Sequence, residues 1–300
     1  MIRLFVTLLF IFSFGLPVAK ATFLPENEIL FAPFAAGPSN MTETEFNAII
    51  SKIDQIYSPV VKQLGGRLSL KGQWSSERLN AGARQMFGSW QVQITGGLAR
   101  HPELSQDAFA LIICHELGHH IAGFPFAEPS MPLEGKWAAS EGQADYFSTQ
   151  VCARRLWKDE LNLNTQFRFK VNEQIRFQCD RLWKNKSDQN LCYRILSASQ
   201  SMTRTMAAIK GQAAPDFATP DKTRVETSLS SHPPIQCRMD TVLKGALCKA
   251  SFNESLIPGK KTPGGRFGIE AEKEAAMNSC TQLSQHQEGL RPMCWFKPRL

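Results

Sequence analysis

The sequence predicts an α+β fold, and three observations carry that reading. Strand-like alternation is confined to the front of the chain: Leu68 and Leu70, then Trp90, Val92 and Ile94. Helical spacing of apolar residues dominates from Ser105 onward. The 300 residues are 43% hydrophobic and 20% charged, a balance that folds around a core rather than staying disordered.

The elements follow in order. Arg3, an apolar run from Leu4 to Leu16 and the small-x-small triplet Ala19-Lys20-Ala21 read as a secretory signal over residues 1–21, cut after Ala21. Residues 22–40 are punctuated by Pro and Gly and read as an arm. Thr42 and Glu45 form a capping box that starts a helix carrying Phe46, Ile49, Ile50, Ile53, Ile56, Tyr57, Val60 and Leu64. Pro59 should kink that helix and Gly65-Gly66 should end it. The two strands come next, the second closed by Gly96-Gly97. Ser105 caps a helix through Phe109, Ile112 and Ile113 to Gly123. A loop with Pro125, Pro129 and Pro132 leads to a helix from about Trp137 to Trp157. Residues 165–210 read as helical, interrupted at Asn185 to Gln189. Pro233 opens one more helix to about Leu247, and Pro258 to Gly268 read as a loop. The chain thus divides into the signal (1–21), one main domain (22–250) and a cysteine-containing tail (251–300).

Charge and cysteines narrow the class. The net charge is +7, but no basic run is longer than a pair such as Lys260-Lys261, so no nucleic-acid partner is expected. No stretch after the signal is long and apolar enough to span a bilayer, and an integral membrane span is not expected. All eight cysteines follow the signal, an even count that fits disulfides in a periplasmic or secreted protein. Short loops favour Cys179–Cys192, Cys237–Cys248 and Cys280–Cys294, which leaves Cys114 and Cys152 to join two helices. No CxxC pair marks a zinc ribbon or a redox motif.

The informative pattern is His115-Glu116-Leu117-Gly118-His119. Residues four apart share one helix face, about 6 Å apart along the axis. Two imidazoles placed so can bind one zinc ion. Glu116 sits beside the metal rather than on it, where a carboxylate can take a proton from the attacking water and pass it to a leaving amine. Gly118 permits close approach of another element. A hydrolytic zinc needs a third protein ligand and an open position, and Glu141, 22 positions after His119, is the best candidate. Asp145 lies on the same face one turn later and can orient a zinc-bound imidazole through its second nitrogen. His232, in Ser230-Ser231-His232-Pro233-Pro234, is held by rigid prolines and can donate to an oxyanion. His120 points about 100° away from His119 and reads as a packing residue. His101 and His286 read as surface residues.

These pieces resemble gluzincin metallopeptidases, and within them the HtpX-like and CAAX-prenyl-protease-like peptidases. The resemblance is carried by Asn80-Ala81 before a strand, Val92 to Leu98, the HELGH pattern, Glu141-x-x-x-Asp145, and Ser231-His232-Pro233-Pro234 with Arg238 after it. It implies a zincin-like fold, with a small mixed sheet packed on an active-site helix and a mostly helical part after it. It implies zinc on His115, His119 and Glu141, with Glu116 as general base, Asp145 behind the ligands and Arg238 as a supporting residue. It also implies that the strand of Trp90, Val92 and Ile94 is a sheet edge that pairs with extended substrate backbone. The spacing from His119 to Glu141 is nearer to thermolysin-like enzymes, and the membrane helices of that family have no counterpart.

The expected function is therefore an exported zinc endopeptidase acting on peptides or unfolded protein segments, with one zinc ion as cofactor. Two other readings compete: a proteolytically silent, chaperone-like binding module of the cell envelope, and a zinc amidase of the cell wall.

Overall fold

The structure is a computed structural model that describes residues 21–25, 29–30, 41–128, 135–263 and 268–299. The signal expected at 1–21 lies outside these residues except for Ala21. Pro129 and Pro132 lie outside them too.

The fold is α+β, with a small mixed four-stranded sheet and a mostly helical remainder. The first helix, α1 (Glu43–Gln63), begins with the expected capping box. Glu45 N–H donates to Thr42 Oγ1 at 3.3 Å, and Thr42 N–H to the Glu45 carboxylate at 2.8 Å. Its inner face buries Phe46, Ile50, Ile53, Tyr57, Val60 and Val61. Pro59 sits inside the helix without ending it, and Gly65, at φ +85°, follows its end.

The sheet has the order β1 (Ala21–Thr22), β3 (Ala81–Met86), β4 (Ser89–Thr95), β2 (Arg67–Gln73). β3 and β4 form an antiparallel hairpin whose turn, Phe87-Gly88, has positive φ at both residues, as a type I′ turn requires. β2 returns parallel to β4, with Leu68 opposite Trp90 and Leu70 opposite Val92. This corrects the expectation for Trp90, Val92 and Ile94. β4 is hydrogen-bonded on both sides, so it has no free backbone edge for a substrate, and the three side chains are buried in the core. The edges of the sheet are β2 and the two-residue β1, which pairs antiparallel with β3. Gly96-Gly97 do not simply close the strand but open the short helix α2 (Gly96–Ala99).

Helix α3 (Gln106–Ile121) starts where Ser105 accepts from Ala108 N–H at 3.2 Å. Every residue from Ala108 to Ile121 is buried, which places the helix through the centre of the molecule. The next helix begins four residues later than expected. Trp137 to Ser140 are not helical: Ala139 forms an isolated bridge with Phe126, and its N–H donates to His119 O at 2.9 Å. The helical path then runs through α4 (Glu141–Phe147), a π-turn (Ser148–Cys152) and α5 (Ala153–Trp157). After it come α6 (Leu161–Gln166), α7 (Glu173–Leu182), α8 (Lys186–Ile209), α9 (Ile235–Leu247) and α10 (Ile269–Ala276). Asn185 is the cap of α8 and not the start of a longer break.

Four disulfides tie these helices together and fit an extracellular or periplasmic protein. Among the described residues no helix is long and apolar enough to cross a membrane. Cys114–Cys152 and Cys179–Cys192 are paired as expected. The other two bridges are Cys237–Cys294 and Cys248–Cys280, not the short-loop pairs. The reason is helix geometry: Cys237 and Cys248 bracket α9, and a rigid helix holds them roughly 16 Å apart. A disulfide needs Cα atoms within about 7 Å. Cys237–Cys294 anchors the buried Trp295 against α4, where a Cβ on Gly142 would run into the indole.

Cys114–Cys152 clamps α3 to the π-turn across a separation of 38 residues. Replacing both cysteines by serine is expected to remove about 4 kcal/mol of stability on loop entropy. Chemical denaturation of the two proteins, compared at equal slope, checks this.

Candidate metal centre

Two helices and one loop build the site. His115 and His119 are successive turns of α3. Their Nε2 atoms lie 3.2 Å apart. Glu141, the first residue of α4, places Oε2 3.3 Å from His115 Nε2 and Oε1 3.6 Å from His119 Nε2. Three donors each about 2.0–2.1 Å from one tetrahedral ion would stand roughly 3.3–3.4 Å from one another. The His115–His119–Glu141 group therefore fits a metal ion, and all three side chains are buried. Two imidazoles and a carboxylate suit a divalent transition-metal ion.

The opposite ring nitrogens are also fixed. Asp145 Oδ1 lies 2.8 Å from His115 Nδ1, and the Ala139 carbonyl oxygen lies 2.8 Å from His119 Nδ1. With the proton on each Nδ1, both Nε2 lone pairs face the same point. Asp145 is held in turn by a bidentate pair from Arg238, Nε to Oδ2 at 2.7 Å and Nη2 to Oδ1 at 2.8 Å. Burial pushes the Asp145 carboxyl up, but Arg238 and His115 outweigh it and hold it well below the ordinary range. Burial pulls His115 down, and Asp145 overcomes this and raises it to about 9. His119, buried without such a carboxylate behind it, is lowered to about 4.

Glu116 is fully buried beside this group, and neither of its oxygens makes a hydrogen bond of ordinary geometry. Burial raises its carboxyl to about 8 against the opposing charge of His115, and the Phe23 main-chain amide also favours the carboxylate. Keeping a carboxylate buried with so little compensation is costly, which makes Glu116 a candidate for a functional rather than a structural role. His232 is part-buried, with Nε2 3.4 Å from Glu141 Oε2 and 2.6 Å from the Thr22 carbonyl oxygen.

The remaining histidines behave differently. His120 faces the sheet, with Nε2 3.2 Å from Gln91 O and its ring stacked on Trp90, so it packs as expected. His101 is buried rather than on the surface, accepting from Glu103 N–H at 3.2 Å. His286 is exposed. A second group, Asp221 with Cys237 and Cys294, carries no metal argument because its two sulfurs form a disulfide.

Gly118 lets α4 approach α3. A Cβ there would stand 2.9 Å from Ala144 Cα, a backbone atom that cannot turn aside. Gly118→Ala is expected to push Glu141 away from the histidines, weaken metal binding, and cost about 1–3 kcal/mol of stability. Calorimetric metal titration beside thermal unfolding measures both.

The residue pattern did not reveal that the chain's own residues 22–24 reach this site; they had read as part of an arm. Phe23 and Leu24, an apolar pair directly after the expected cleavage point, are the signal that could have shown it. No protein-family model, no curated protein and no solved structure matches the chain.

Proposed function

We propose that this protein is a zinc-dependent peptide hydrolase of the gluzincin type with a zincin-like fold, working outside the cytoplasm. The observation that carries the reading is the cluster of His115 Nε2, His119 Nε2 and the Glu141 carboxylate, with the buried Glu116 beside it. Zinc bound there supplies Lewis acidity, polarising the scissile carbonyl and making a water reactive near neutral pH. Glu116 takes a proton from the attacking water as its oxygen bonds to the carbonyl carbon. When the C–N bond breaks, Glu116 delivers that proton to the leaving nitrogen. His232 Nε2–H donates to the carbonyl oxygen as charge builds on it. Asp145 and Arg238 hold His115 in its orientation. The substrates on this reading are peptides or unfolded protein segments.

The test is a quenched library of unstructured peptides incubated with the protein before and after chelation, with purified cell wall as a parallel substrate. Peptide cleavage that stops on chelation and returns with zinc is the expected result. Wall digestion alone would point to an amidase, and bound zinc without any cleavage would point to a binding module.

A further inference from the structure

A short piece of the chain lies beside the candidate site, extended at Ala21–Thr22 and bending from Phe23, where Thr22 Oγ1 donates to Leu24 O at 2.6 Å. Ala21 and Thr22 pair antiparallel with β3, opposite Ala83 and Gly82. Phe23 N–H then donates to Ala81 O at 3.1 Å. Asn80 grips Leu24 twice, accepting from its N–H at 3.2 Å and donating to its carbonyl at 3.3 Å. Three successive carbonyls thus each have a reader. Thr22 O is 2.6 Å from His232 Nε2, Phe23 O accepts from Arg238 Nη1 at 2.6 Å, and Leu24 O accepts from Asn80. The Phe23 side chain is fully buried, its ring edge-on to His115 at 5.6 Å and under the Arg238 guanidinium at 5.0 Å. A strand added only to complete a sheet would need no contact beyond β3. This one uses His232, Arg238 and the surroundings of the metal ligands.

We propose that residues 22–24 are the site's own pseudosubstrate, covering the side of β3 that faces away from β4, with Thr22 on the acyl side and Phe23 on the leaving side of the position to be cut. The proposal rests on the peptidase reading and deepens it. It assigns Asn80, Ala81 and Arg238 as readers of substrate backbone. It gives the substrate class as extended peptides with a bulky apolar residue directly after the scissile bond, the place Phe23 fills. It also makes the free protein self-inhibited. A tethered segment competes at a millimolar effective concentration, so a substrate must displace it to bind.

The test uses the full chain with its four disulfides in the Glu116→Gln background, so that nothing is cut. The probe is a labelled, capped pentapeptide with the sequence of residues 21–25, Ala-Thr-Phe-Leu-Pro, followed by fluorescence anisotropy. Adding Phe23→Ala is expected to tighten its binding about tenfold or more, by removing the buried aromatic competitor. The same pentapeptide with Asp in place of its Phe should not bind. Hydrogen exchange provides a readout that needs no change at Phe23. The amides of residues 22–24 should be protected in the free protein and exposed when the pentapeptide saturates it. Equal peptide affinity with and without Phe23→Ala in folded protein overturns the proposal, as does protection of those amides that saturating peptide leaves unchanged. The two readings fail separately. Displacement of the segment without any hydrolysis by the zinc-loaded chain contradicts the peptidase alone. Hydrolysis that Phe23→Ala leaves unchanged contradicts the pseudosubstrate alone.

Discussion

Glu116→Gln is expected to lower peptide hydrolysis by about a hundredfold to ten-thousandfold while leaving zinc bound. The change is nearly isosteric and removes only the ability to accept a proton. Neither oxygen of Glu116 is part of the ligand cluster. The buried site also loses a carboxyl that had to be kept with little compensation, so stability should hold or rise. The measurement is kcat/KM on a fluorogenic peptide at matched zinc content, with zinc counted by mass spectrometry. A variant that loses zinc together with activity would move Glu116 into the ligand set. A variant that keeps its activity would remove it from the reaction.

A large loss of both stability and metal affinity is expected from Arg238→Met. Arg238 and Asp145 are both buried, and their bidentate pair is the only compensation Arg238 offers the Asp145 charge against burial. Removing one partner of such a pair typically costs 3–5 kcal/mol, because the other charge stays buried without it. For a chain of this size that is a fall in Tm on the order of 10 °C. The same change frees Asp145 to shift against His115, and loosening a support of this kind weakens metal binding by about ten- to a hundredfold. The double variant Asp145→Leu with Arg238→Met removes both charges of this pair and should recover part of the lost stability, but not the metal affinity. Thermal unfolding with and without zinc, read across the three proteins, separates the two effects.

What was legible in the sequence is what local physics determines. The 3.6-residue period puts His115 and His119 on one face whatever surrounds them, and Ser105 and Gly123 bound their helix nearly as expected. The capping box at Thr42 and the caps of later helices depend on a few neighbouring atoms. Glu141 and Asp145 were legible because one turn of helix separates them, although their helix starts later than expected.

What was not legible depends on long-range pairing. β3 has no alternating branched residues to announce it. Its Ala81, Gly82 and Ala83 are small and buried, beside β1 on one side and β4 on the other. Without β3, the hairpin was invisible and β4 was mistaken for an edge. The two exchanged disulfides are a different case. The helix expected from Pro233 to Leu247 was already too long for Cys237 to reach Cys248, so geometry alone excluded that bridge. The contact between residues 22–24 and Arg238 joins positions more than 200 apart, and no local pattern announces it.

On the proposed function, one zinc ion on His115, His119 and Glu141 makes this chain a peptide hydrolase. The most direct measurement is to titrate metal-free protein with zinc and to follow bound zinc and peptide cleavage in the same samples. The account predicts that cleavage rises in step with zinc and stops rising at one ion per chain, and that His119→Ala stays silent throughout. A chain that fills with one zinc ion and cleaves no peptide, even with Phe23→Ala in place, would contradict it.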